Sequence, residues 1–349
     1  MRAILNFLSD DEVRRIHGAS LRILQETGVR IHSEKVRKLL AERGAKVDGT
    51  IVKIPGSLVE EAIKEAPEEM TLGARDSKCD LKLPAGDFPF AATSGFSPFV
   101  DDFETGERRK STSSDLKDFA IVSDYLDTVD FFWPIVIPND LPSPLQDLYA
   151  LVISFENNRK HIQCSCVTEK VAKWQIRLAA AIVGGEEELR KRPIFSTINC
   201  PVAPLTFEKN SSEAVVTLAK AGIPTAPMSM VLAATTGPAT MAGTLAVANA
   251  EELASLVITE CANPGAPVIY CLEIAPADMK TGEINYEAPE YLLLCAGGTQ
   301  MARFYKIPNL VDDSLGKALS DPVPPERKQH DATPVEYDVV GVAMSHMTR

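Results

Sequence analysis

Positive charge is scarce in this chain: 36 Lys and Arg stand against 48 Asp and Glu, for a formal net charge of −12 over 349 residues. No basic stripe offsets that balance, and phosphate backbones need one, so nucleic acid is excluded as a partner. An acidic enzyme is compatible with a cationic or zwitterionic substrate, although net charge is weak support for one. Cysteine pairs are missing too. Seven Cys (79, 164, 166, 200, 261, 271 and 295) are scattered, odd in number and without a CxxC. That is the usage of a small hydrophobe in a reducing cytoplasm. The apolar run in MRAILNFLSDDEV is too short for a signal peptide, and no 18 uncharged apolar residues run together, so no membrane span is expected. HExxH, GxSxG and a P-loop are absent, and no GxGxxG follows the first strand-like run. Their absence weighs against zincin, α/β-hydrolase, nucleotide-triphosphate and dinucleotide chemistry.

What is present is a rhythm. Hydrophobic residues make up 45% of the chain, enough for a sizeable core. Residues 1–87 read as a mainly helical cap with short strands. Ser9-Asp10-Asp11-Glu12 is a capping box, and Val13, Ile16, Ile23 and Leu24 mark one helical face. Two further helices are expected at Ser33–Arg43 and Pro55–Ala66. From residue 88, strand-like runs recur at Phe88–Phe99, Val129–Ile137, His161–Val167, Ile194–Cys200, Pro224–Met230, Val268–Leu272 and Asn309–Val311. Helix patterns lie between them at Ser113–Tyr125, Gln146–Asn157, Val171–Val183, Ser211–Ala221, Met241–Ala262 and Ala288–Tyr305. This β–α alternation predicts an α/β fold of the TIM (β/α)8-barrel type over 88–321. The eighth strand is in question. Prolines 322, 324 and 325 disfavour another helix, and Val335–Met344 reads as a strand or as an irregular tail within a divergent segment, 322–349.

In such a barrel, chemistry gathers at the carboxyl ends of the strands. Those ends are aromatic and neutral here. Phe96, Phe131, Phe132, Trp133 and Tyr270 lie near the predicted mouth, and Met228 adds polarisable surface. A quaternary ammonium ion has no N–H to donate and is recognised by aromatic faces. Core packing is the competing role for Phe131, Phe132 and Tyr270, whereas Phe96 and Trp133, beside Gly95 and Pro134, suit a pocket wall better. Glu273, Asp312 and Asp313 each follow a strand and are candidates to balance a cation or act as general acid, with a solvated loop charge as the alternative. Cys164 and Cys166 share a strand face with no nearby His or acid, so no metal site is expected.

Several of these segments together resemble the trimethylamine methyltransferase family: Ala91–Asp130, Asn199–Phe207, Ala219–Met230, Gly237–Tyr270 and Tyr286–Pro308. Gly237–Tyr270 and the turn Thr105-Gly106-Glu107-Arg108-Arg109 are the most specific. The resemblance implies a (β/α)8 barrel that moves a methyl group from a methylated amine to the Co(I) of a partner corrinoid protein. On that basis the chain binds no cofactor tightly, since cobalamin is carried by the partner, and it serves one-carbon metabolism or methanogenesis. A homo-oligomer is expected. Trimethylamine enzymes of the family carry pyrrolysine after the seventh strand. The matching loop here, Val311–Asp321, has only standard residues around Ser314, which implies the branch acting on quaternary amines such as glycine betaine. Phe96, Trp133, Met228 and Tyr270 would then bind substrate, and Glu273, Asp312 or Asp313 would balance charge. From Gly316–Asp321 onward the chain leaves the family pattern, so it reads as truncated or altered there. The alternatives are an impaired barrel that binds quaternary amines without turnover, and an unrelated barrel lyase using Lys160 or an acidic pair.

Overall fold

A computed structural model describes residues 6–86 and 89–311. Helix α1 (Asp10–Arg22) starts from the Ser9–Glu12 capping box, in which the Ser9 hydroxyl accepts from the Glu12 N–H and the Glu12 carboxylate accepts from the Ser9 N–H. The helix α2 (Glu34–Glu42) is capped by Ser33, and α3 (Gly56–Glu65) follows Pro55. Strands Val29–Ile31, Ile51–Lys53 and Lys46–Asp48 form a small antiparallel sheet. Its fourth member, Thr206–Phe207, comes from far along the chain and pairs parallel to Val29–Ile31.

The β–α rhythm is present as α4 (Ser113–Tyr125), β1 (Phe131–Phe132), α5 (Gln146–Asn157), β2 (His161–Ser165), α6 (Glu169–Val183), α7 (Glu186–Lys191) and β3 (Phe195–Asn199). It continues with α8 (Lys209–Ala221), β4 (Thr225–Ser229), α9 (Met241–Ala262), β5 (Tyr270–Leu272), α10 (Pro289–Tyr305) and β6 (Asn309–Leu310). Each strand pairs parallel to the next in sequence, and Ala92 bridges to Phe131 ahead of them. Order in space equals order in the chain. A doubly wound sheet reverses its order at a switch point, so the alternative sheet topology does not apply. The strand expected over Phe88–Phe99 is reduced to bridges at Ala92 and Ser97, because Phe96 adopts φ +71° and breaks the extended run. Pro134, which has no N–H for a ladder, ends β1 early. The eighth-strand candidate 335–344 and the segment 322–349 lie outside the described residues.

Strand alternation gives the sheet two apolar faces. Phe132, Ile162, Cys164 and Phe195 pack outward in one cluster with residues of α4, α5, α6 and α8. Ala92, Phe131, Trp133, Ile198, Ala226, Met228, Ile269, Cys271 and Leu310 form a second cluster on the inner face of the curl. At the amino ends of the strands, the hairpin Met70–Leu72/Leu81–Leu83 adds Leu72 and Leu81 to that inner cluster. There the fully buried His161 donates from Nδ1 to the Gly73 carbonyl (2.7 Å) and accepts at Nε2 from the Ser196 hydroxyl (2.9 Å). Burial holds its pKa down, to about 4.

Helix α9 is long and apolar enough to cross a membrane, but 78% of its apolar window is buried inside the protein. It lies between the sheet and the amino-terminal region, touching α1, α3 and α8 as well as β4 and β5. A polar chain runs through this contact. Tyr270 donates to Asn249 Oδ1 (2.8 Å), and Asn249 Nδ2 donates to Ser20 Oγ (2.8 Å) and Tyr305 Oη (2.9 Å). Tyr305 then meets His17 Nδ1 (3.0 Å), and His17 Nε2 meets Glu60 (2.8 Å).

Two outcomes follow. Tyr270→Phe leaves the buried Asn249 carbonyl short of a donor and lowers unfolding free energy by about 1–3 kcal/mol, read by chemical denaturation. His161 is held neutral in the fold, so only the unfolded chain takes up its proton between pH 6.5 and 4. Its stabilising contribution is therefore complete above pH 6.5 and falls, by up to ~1.4 kcal/mol per pH unit, on acidification through that window. The stability difference between the parent and His161→Gln, measured at pH 7 and pH 5, should shrink at the lower pH.

Candidate active site

The carboxyl ends of the strands gather most of the expected residues. After the Ala92 bridge the chain turns back against Pro134 at Gly95, where a Cβ would lie 1.9 Å from the Pro134 carbonyl oxygen. Only glycine permits that approach. It lets the Phe96 N–H donate to Pro134 O (3.1 Å) and the Ser97 N–H to Ile135 O (2.9 Å). Phe96 then stands edge-on to Trp133, with ring centroids 5.6 Å apart and planes at 68°. Thr93 fixes Trp133 from the neighbouring segment: its hydroxyl donates to the Trp133 carbonyl (2.6 Å) and accepts from the Trp133 N–H (2.9 Å). Met228 in β4 belongs to the same inner cluster, with Met230 and Phe96 packed against it.

Glu273 follows β5 on the face shared with Ile269 and Cys271, since the intervening Tyr270, Leu272 and Ile274 pack outward. Its N–H donates to Ser229 O (3.0 Å), and its carboxylate accepts from the Tyr286 hydroxyl. Tyr286 is braced edge-on by Tyr291, centroids 5.3 Å apart. Just beyond, Ala275–Pro276 pairs with Leu232–Ala233, tying the loops after β4 and β5 together. On the other side, Ser165 at the end of β2 donates to Asp147 Oδ1 (2.5 Å) at the start of α5.

Tyr270 is a correction. Its residue parity is that of Leu272, so the ring points out of the sheet into the cluster shared with α9 and α10, and its hydroxyl is spent on Asn249. It lines no mouth and serves as core. Asp312 and Asp313 lie outside the described residues. Lys160 sits at the amino end of β2 and donates to three carbonyls, of Ser123, Leu126 and Val129 (2.5–2.8 Å). It caps the end of α4 and is no Schiff-base candidate. Burial pushes the Cys164 and Cys166 thiols up, as suits inert core sulfurs. Among the described residues no grouping of three or more His, Cys, Asp or Glu suits a metal ion. A shallow cleft lined by Asn199, Cys200, Phe207, Val215 and Ile258 lies toward α8 and α9 and shares no residue with the aromatic corner.

Gln163, Asp147 and Tyr286 were not among the residues singled out from sequence. Alternation from the outward Ile162 and Cys164 marks Gln163 as inward, but that parity is unreadable until one face is known. Tyr286 had one signal, its place in the long loop after the sixth strand.

The described geometry can be set beside known proteins. A family model described as trimethylamine methyltransferase matches residues 2–320. The chain is 32% identical to a trimethylamine methyltransferase of Desulfitobacterium hafniense, covering 93% of this chain and 65% of that protein. It is 31% identical to a glycine betaine methyltransferase of the same species, covering 87% and 63%. A trimethylamine methyltransferase of Methanosarcina barkeri is 30% identical, covering 94% and 67%. The chain thus spans about two thirds of the length of these curated relatives. Among solved structures, the monomethylamine methyltransferase of Methanosarcina barkeri superposes with a TM-score of 0.57 at 12% identity, covering 88% of this chain and 62% of that one. That likeness supports an α/β fold built on a curled parallel sheet. With the family model matching most of its length, the chain belongs to the trimethylamine methyltransferase family.

Proposed function

We propose that this chain transfers a methyl group from a quaternary methylated amine to the Co(I) of a corrinoid protein, within a sheet that closes into a (β/α)8 barrel. The observation that carries the reading is the aromatic corner of Phe96 and Trp133 on the inner face, beside Met228. A quaternary ammonium offers no N–H to bond, and a dry aromatic surface is what its diffuse charge prefers. Glu273, held by Tyr286, supplies a counter-charge on the opposite side of the inner face. No residue has to protonate the nitrogen. The C–N bond breaks with its electron pair going to nitrogen, and the amine leaves neutral as the methyl moves to cobalt. A substrate with a tertiary nitrogen would need a proton or an adduct first. The run of standard residues around Ser314 favours the quaternary class.

Positive charge leaves nitrogen as the bond breaks, so an aromatic corner stabilises bound substrate at least as well as the transition state. Its loss should therefore appear in KM more than in kcat. The experiment supplies reduced corrinoid protein with a panel of betaines and methylamines and follows methylcobalamin by its visible spectrum. Methylation with a quaternary amine and none with trimethylamine is the expected result; no spectral change with any amine sinks the reading. Trp133→Leu removes a desolvated cation–π contact worth about 2 kcal/mol and should raise KM roughly thirtyfold, with a smaller change in kcat.

A further inference from the structure

Two polar side chains on the inner face of the curled sheet have nothing to bond. Gln163 is 1% exposed and neither atom of its carboxamide has a hydrogen-bond partner; Nε1 of Trp133, in a residue 6% exposed, has none either. Buried polar groups are rarely left so, and each one is destabilising. The other unbonded groups, on Ser123, Gln175, Thr225, Glu260 and Asp147, are single atoms. Gln163 differs because its whole head group is idle.

The two residues are neighbours. Phe131 and Phe132 pair with His161 and Ile162; continued one residue past the end of β1, that register sets Trp133 beside Gln163. Phe132, Ile162 and Cys164 belong to the helix-facing cluster, which turns Trp133 and Gln163 inward together. Adjacent strands are about 4.8 Å apart, within reach of the two oxygens of one carboxylate. An indole N–H and a carboxamide N–H at that spacing can donate to one carboxylate oxygen each. Phe96 stands against the Trp133 ring, placing an aromatic surface next to these donors.

We propose that Gln163 and Trp133 form the subsite for the carboxylate of a zwitterionic quaternary amine, and that they select such zwitterions over ammonium ions with no anionic end. The neutrality of the donors is part of the argument. An Arg or Lys would bind a carboxylate more strongly, but would repel the ammonium group a few ångströms away. An amide and an indole hold the anionic end without adding positive charge to a cation site. The inference rests on the quaternary-amine reading above.

The test is calorimetric titration of the full chain with glycine betaine and with tetramethylammonium, using the parent, Gln163→Met and Trp133→Phe. Gln163→Met keeps the length and loses the hydrogen bonds; Trp133→Phe keeps an aromatic face and loses the N–H. Each should weaken glycine betaine binding tenfold or more; Gln163→Met should leave tetramethylammonium within about twofold, and Trp133→Phe, which keeps a weaker aromatic face, should cost tetramethylammonium clearly less than glycine betaine. Gln163→Met should also raise the melting temperature, since an unbonded carboxamide is gone. Equal losses for both ligands, or none for glycine betaine, overturn the subsite while leaving methyl transfer untouched. A parent chain that binds neither ion overturns the quaternary-amine reading and the subsite with it.

Discussion

A helix with no wet face must answer for every polar group it carries, and α9 carries two adjacent carboxyls. Glu251 and Glu252 are buried, and an unpaired buried charge costs several kcal/mol. Burial pushes both pKa values up, Glu252 the more. All four oxygens are nevertheless used. Glu251 accepts from the Leu205 N–H (2.7 Å) and the Ser229 hydroxyl (2.5 Å); Glu252 accepts from the N–H groups of Ser229 (3.1 Å) and Cys271 (3.3 Å). The carboxyl ends of β4 and β5 are thereby set against one rigid rod. Met228 and Glu273 are next to those anchored residues, so the inner face inherits its geometry from contacts made on the outer one.

The two faces of the sheet treat polarity differently. Outside, Tyr270, Asn249, Ser20 and Tyr305 satisfy one another across three helices and a strand. At the closed amino end, His161 spends both ring nitrogens. Toward the carboxyl end of the inner face, bonding thins out and aromatic surface takes over. Gln163, with both head-group atoms unbonded, and the Trp133 indole N–H stay open on the face where the rings meet, the kind of local inconsistency expected at functional sites.

Much of the fold was legible because its helices are bounded by strong local signals. Ser113–Tyr125, Gln146–Asn157 and Met241–Ala262 have the bounds expected from their caps and turns. The short helix Glu186–Lys191 was hidden in a charged run with little apolar period. Strand existence was legible and strand facing was not. A parallel strand covered on both sides is apolar throughout, so Tyr270 and Glu273, three residues apart, could not be sorted to opposite faces from composition. Phe96 and Trp133 could be singled out because Gly95 and Pro134 stand beside them in the sequence. The partner of Val29–Ile31, some 175 residues along the chain, leaves no local trace at all.

That last pairing has a consequence for how the molecule is made. The amino-terminal sheet lacks an edge until Thr206–Phe207 has left the ribosome, and the face of α1 that carries Ser20 waits longer still, for Ala246 and Asn249 on α9. The amino-terminal sheet and α1 must therefore be held unfinished while β1, β2 and β3 are still being synthesised. Long-range closure of this kind slows folding and prolongs the exposure of apolar surface. The amino-terminal sheet and α1 are thus made before the elements that complete them, and their stability is tied to the later half of the chain.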